Sequence, residues 1–164
     1  MSHVGLNDHP AMVSGSILDA GGSPGSGGSL VKVGHAKLTL SGSGNTYSGG
    51  TTIEQGTLDV AAIRAAGTGA ITFAGKAILT VENAALSVHH FGNSIDFFGK
   101  HDTLDLTGLH FHAGATATYH KTSHDLSVRS GAVSDTFTLL SPHGTHFGTA
   151  SDHHGGTDVF LLFA

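Results

Sequence analysis

The chain contains no cysteine and no tryptophan, and only three prolines among its 164 residues. Without cysteine no disulfide can brace the fold, so stability must come from burial and backbone pairing. The absence leaves the compartment open, because a protein exported unfolded through a secretion channel is also well served by having no crosslinks. Charge is scarce: Asp, Glu, Lys and Arg make up 12%, against roughly a quarter in ordinary globular domains. Seven basic residues face twelve acidic ones, a net charge of −5 with neutral histidine. No basic patch is present, which argues against a nucleic-acid partner. No apolar run approaches the ~20 residues of a membrane-spanning helix. The opening MSHVGLNDHPAMVSG lacks the basic-then-hydrophobic order of a cleavable signal peptide. Export would then use another signal, or the sequence is a piece of a longer chain.

What is abundant is glycine, 25 residues of it, with Thr, Ser, Ala and aliphatic side chains around it. That mixture suits short strands joined by tight turns and suits helices badly. Residues 1–29 end in the glycine-rich GGSPGSGGS and read as a flexible or capping lead-in. From Leu30 onward come short stretches with apolar residues two apart, such as KLTL, TLDV, AITF and AILTV. Each has the alternation of a strand with one buried face. Leu38 and Leu40 recur as Leu58 and Val60, and Thr51 and Ile53 recur as Ile71 and Phe73, a step of 20 in both cases. Leu58 recurs approximately as Ile78 or Leu79. Two interleaved series with one step predict two strands per coil and coils stacked in register, the signature of a solenoid. A β-sandwich needs no such internal period. The expected organisation is the lead-in 1–29, repeat coils over 30–91, and C-terminal coils or a cap over 92–164.

Gly28 to Val60, GSLVKVGHAKLTLSGSGNTYSGGTTIEQGTLDV, resembles the passenger-associated repeat of bacterial autotransporters, above all in GNTYSGGTT and QGTL. It departs from the usual pattern at His35-Ala36-Lys37, where small residues are common, and carries one extra residue around Ser43-Gly44. GTGAITFAGKAILTVENAAL is similar to further coils of that class, so the likeness runs over residues 28–88. Residues 92–160 resemble a terminal module of exported repeat proteins of soil bacteria, through DTLDLTGLHFHAGATATY and ASDHHGGTDV. The resemblance implies an all-β, right-handed parallel β-helix and names no ligand.

Several residue patterns suggest chemistry. Thr51, Thr52, Thr57, Thr72, Thr80, Thr116 and Thr118 fall at strand positions, but Glu54, Asp59 and Lys76 interrupt any flat ice-binding array, so outward β-branched filling is expected. Asp96, Asp102 and Asp105 echo a calcium-binding nonapeptide faintly, yet FFGKHD stands where glycine-rich turns are required. A glycan-cleaving helix would need paired carboxylates, and nothing in the sequence places Asp96, Asp105 and Arg129 together. Histidine is the outlier: 14 residues, eleven of them at or beyond position 89. In LHFHAG a strand would turn Leu109 and Phe111 inward and leave His110 and His112 outward, about 7 Å apart. With His120, His124, His143 and His146 from neighbouring segments, these form a candidate set for zinc, nickel or copper. A haem-binding reading would draw on His or on Tyr47 and Tyr119, the only tyrosines.

Protonating every histidine would move the formal charge from −5 to +9, so mild acid should reverse the sign of the molecule's mobility. The C-terminal DVFLLFA resembles the terminal signal of type I secreted proteins. It reads equally as a last core strand, or as a contact to a second copy through Phe160, Leu161, Leu162 and Phe163. The sequence thus leads to a non-catalytic structural or adhesive module, extracellular or at a cell surface. Its partner would be a host or abiotic surface, a glycan or a protein, or further copies in an end-to-end fibre. A His-rich metal- or haem-binding protein and a carbohydrate-active helix are the alternatives.

Overall fold

The computed structural model describes residues 2–4, 8–19 and 27–163. In chain order the strands are β1 (Ser2–Val4), β2 (Ala11–Val13), β3 (Leu30–Lys32), β4 (Lys37–Leu40), β5 (Thr51–Ile53), β6 (Gly56–Val60), β7 (Ile71–Phe73) and β8 (Ala77–Val81). A single 3-10 turn at Asn83–Ala85 leads to β9 (Leu86–Ser87), then β10 (His90–Asp96) and β11 (Thr103–Leu106). Leaving out β9, successive strands alternate between two parallel runs, β1-β3-β5-β7-β10 and β2-β4-β6-β8-β11. The result is a β-solenoid of about four turns, with no α-helix among the described residues. Most of the glycine-rich run that ends the lead-in falls in residues 20–26, outside the described residues, while β1 and β2 from the same lead-in already pair with the first repeat coil.

The register follows the apolar spacing. Leu38 sits on Leu58, Leu58 on Leu79 and Leu79 on Leu104; beside them run Leu40, Val60, Val81 and Leu106. All eight are buried. On the opposite wall Ile53 stacks on Phe73, and Ile71 between Thr51 and Ile95. The step of 20 holds where Leu38 pairs with Leu58 and where Thr51 pairs with Ile71, and it lengthens where Leu58 pairs with Leu79 and Leu79 with Leu104. Strand pairing keeps each column in line while the intervening turns absorb the extra residues. Each buried aliphatic side chain contributes about 1.5–3 kcal/mol, so the columns favour this register over a one-residue slip, which would turn every one of them outward.

Thr51 departs from the outward filling expected of it. It lies in the core at 1% exposure, its hydroxyl 2.7 Å from the buried Tyr47 hydroxyl. Thr52 and Thr72 do form an outward pair.

Beyond β11 the winding stops. Strands β12 (Thr116–His120), β13 (Asp125–Ser130), β14 (Val133–Leu139), β15 (His146–Ser151) and β16 (Thr157–Phe163) are antiparallel to one another. Strand β14 joins the first run by pairing parallel with β10, and β16 joins the second by pairing antiparallel with β11. One continuous sheet therefore passes from one wall to the other across the end of the stack. Phe137, Leu139, Phe147, Val159 and Leu161 close the core there.

Candidate functional site

The turns leading from the first wall to the second differ in length, and that difference makes a trough. Residues 33–36 and 97–102 form long turns; 54–55 and 74–76, between them, are short. The long turns stand proud and the short ones become the floor. A cavity of about 800 Å³ results, bounded by His35 and His101 and floored by Glu54, Gln55, Lys76 and Ile78. A second hollow of about 480 Å³ shares Lys76 and His101 and continues to Phe97, Lys100 and His143.

Buried polar groups hold both walls. Lys32 points inward and is wholly buried. Its ammonium donates to the carbonyls of Val33 at 2.8 Å, Gly34 at 2.7 Å and Gln55 at 3.1 Å, tying the first long turn to the short turn beside it. Burial pushes its pKa below the usual lysine value, with Asp8 opposing. The carboxylate of Asp8 also accepts the backbone N–H of His35. At the other wall Asp102 is buried, and its carboxylate accepts from the backbone N–H of Gly99 at 2.8 Å and of Ala77 at 3.2 Å. Burial raises its pKa, while those hydrogen bonds and the nearby His143 and His101 work the other way.

The same turn carries two phenylalanines with opposite fates. Phe98 is buried, edge-on to Phe73 with ring centroids 5.3 Å apart. Phe97 is 46% exposed, has a left-handed φ of 56°, and stands 6.1 Å from the His143 ring. Left-handed backbone is costly for a bulky side chain, so the turn holds this ring in solvent at a local energetic cost.

A second polar feature lies on the outer side of the second wall. Thr39, Asp59, Thr80, Asp105 and Asp158 occupy successive rungs. Thr39 donates to Asp59 at 3.0 Å and Thr80 to Asp105 at 3.1 Å, while Lys37 reaches Asp59 at 2.8 Å. The remaining Oδ1 atoms of Asp59 and Asp105 have no partner among the described residues. Burial, then the charges of Asp105 and Asp152, push the Asp158 carboxyl up to about 6. Asp105 is also raised, chiefly by burial.

The histidines disperse. His110 and His112 are exposed with ring centroids 5.1 Å apart, but they sit on an irregular segment between β11 and β12, where a strand was expected. The physical reason is local. Gly114 takes a φ of +89°, and the Ser130 hydroxyl donates to the His110 carbonyl at 2.7 Å and accepts the His112 N–H at 2.8 Å. A side chain thus supplies the bonds a neighbouring strand would have made. Leu109 is buried and Phe111 half-buried, close to the inward pair expected. His120 and His124 flank the β12–β13 turn, His146 pairs across from Thr118 in β12, and His143 lines the trough. Among the described residues no three His, Asp or Glu side chains converge to hold a metal ion. Asp96 and Asp105 belong to different walls, and Arg129 donates to the carbonyl of Gly131. Of the tyrosines, Tyr47 is engaged in the core, and the Tyr119 hydroxyl bonds the Leu139 carbonyl at 3.1 Å and lies 3.1 Å from His124 Nδ1.

At the C-terminus Leu161 is buried, Phe160 half-buried and Leu162 42% exposed, while the Phe163 side chain lies outside the described residues. Strand β16 has partners on both sides.

The sequence carries one signal for the trough, the gap between successive strands, which widens from Ile53–Gly56 to Phe73–Ala77 and to Asp96–Thr103.

Residues 30–60, spanning β3 to β6, match the model of the passenger-associated-transport-repeat family. No curated protein sequence and no solved structure matches the chain. The repeat and the solenoid together fit a structural, passenger-type module, a class associated with export or the cell surface. No helix among the described residues is long and apolar enough to cross a membrane.

Proposed function

We propose that this chain is a non-catalytic structural and adhesive module of an exported bacterial repeat protein, and that its winding is right-handed, as parallel crossovers favour. The observation that carries the reading is the coincidence of the matched repeat with parallel rungs in unbroken register, β3 on β5 and β4 on β6. Such a stack has no hinge between coils, and its backbone hydrogen bonds run along its length, so it presents side chains on a stiff surface. Residues 92–164 act as its terminal module: β10 and β11 complete the last rung, and the strands from β12 onward cover it. Asp96 and Asp105, the carboxylates singled out from the sequence for a glycan-cleaving helix, stand on different walls.

The test is retention under flow. Beads carrying the purified chain should stay on hydroxyl-rich and acidic polymer films well after beads carrying a helical protein of equal net charge have detached. Equal detachment from every film would end the adhesive reading.

A further inference from the structure

We infer that the trough along the turn edge binds a linear, carboxylated glycan, a uronic-acid-containing chain lying across successive turns. The inference rests on the adhesive reading and names the ligand class for one part of its surface.

Shape is the first argument. The cavity and its neighbouring hollow share Lys76 and His101 and so form one path from His35 to His143. The path crosses coils spaced about 4.8 Å apart, a rise comparable to that of one sugar ring in an extended chain. The long turns that border it, braced by Lys32 and Asp102, hold its shape before any ligand arrives.

Chemistry is the second. Lys76 and Lys100 are exposed, and neither has a hydrogen-bond or salt-bridge partner among the described residues. Two free ammonium groups in a chain of net charge −5 suit a ligand with widely spaced carboxylates. They are too few for the dense phosphates of a nucleic acid, where affinity comes from neutralising many charges at once. Glu54 and Gln55 on the floor offer acceptors and a donor to hydroxyl groups. Ile78, 39% exposed, gives that floor an apolar patch.

Phe97 is the third. Its exposed ring, held in left-handed backbone beside His143, projects at the mouth of the second hollow. An aromatic face at the side of a polar trough suits the C–H surface of a sugar ring, with amphipathic contact area gained at little rotamer cost. Strain of this kind is retained where the surrounding structure enforces it, and such positions cluster at ligand contacts. Phe98, one residue on, shows that burial in this turn was available.

Calorimetry on the full chain at low ionic strength tests this, with oligogalacturonate as probe and its methyl ester, a single-stranded DNA oligomer and a neutral glucan as comparisons. The acidic oligomer should bind saturably, weaken in salt, and bind at least about tenfold more tightly than the ester. Phe97→Gly removes the ring and relaxes the left-handed strain, so the chain should remain folded while affinity falls by about tenfold. Lys76→Ala should cost a similar factor, and Lys121→Ala, on the β12–β13 turn, none. Three results would overturn the proposal: no heat from the acidic oligomer, equal affinity for DNA, or full binding by both Phe97→Gly and Lys76→Ala. Bead retention is read separately, so adhesion that persists without oligogalacturonate binding removes the trough's role and leaves the adhesive module standing.

Discussion

Asp158 shows what this wall asks of single residues. It shares a rung with Asp105 and lies near Asp152, and burial together with those charges lifts its carboxyl from 3.8 to about 6. A raised carboxyl disfavours the charged form in the folded state. Its stabilising contribution is therefore complete below the unfolded value near 3.8 and is lost as pH rises through about 6. Fully shielded, that displacement would correspond to roughly 3 kcal/mol; the half-open site screens it to about 1 kcal/mol. Asp158→Asn should accordingly stabilise the chain by about 1 kcal/mol at pH 7.5 and leave it unchanged at pH 3.5, measured by urea unfolding at both values. A gain of equal size at the two pH values would remove the electrostatic account. Nothing in the sequence marked this residue, because Asp105, which shares its rung, comes from a segment about fifty residues earlier.

At the scale of elements, the turns decide more than the strands. Gly56 opens β6 with a φ of +70°, and a Cβ there would come within 2.6 Å of the carbonyl oxygens of both Gly34 and His35 in the turn of the preceding coil. Neither backbone oxygen can retreat without loosening the three bonds Lys32 makes to the same two turns. Gly56→Ala should cost about 2–4 kcal/mol, a left-handed penalty plus a backbone clash, seen as a lower urea midpoint at unchanged slope. A loss below about 0.5 kcal/mol would mean that the coils shift apart freely. The strands themselves were legible in the sequence: the columns from Leu38 and Leu40 to Leu58 and Val60 read directly from a step of 20, because side-chain alternation and burial coincide there. Lys32 and Thr51 were illegible as core residues, since a polar group is placed inside only where distant carbonyls or a hydroxyl can satisfy it. The six-residue turn at 97–102 was visible as spacing, but its meaning depended on shorter turns one and two coils earlier.

On the scale of the whole molecule, the two ends of the solenoid are treated differently. Among the described residues the outermost strands at the first end are β1 and β2, three residues each. At the other end β10 and β11 run for seven and four residues, over a core of Phe91, Ile95, Leu104 and Leu106. The antiparallel strands β14 and β16 occupy those edges, and Phe137 closes over Phe91 with ring centroids 5.9 Å apart. The sequence left open whether residues 92–164 continue the coils or fold back over them, because hairpin and coil strands share the same alternation and only pairing partners tell them apart. If the final strands serve as a cap, removing residues 110–164 should not merely shorten the protein. It would bare two hydrogen-bonding edges and the apolar last rung together, and the remaining coils should associate with one another through that end. Light scattering should show concentration-dependent assembly of the truncated chain with its strand signal retained, while the full chain keeps one size over the same range. A truncated chain that stays monomeric and unfolds at the same urea concentration would show that the coils need no cover, and that the antiparallel strands serve some purpose other than closing the solenoid.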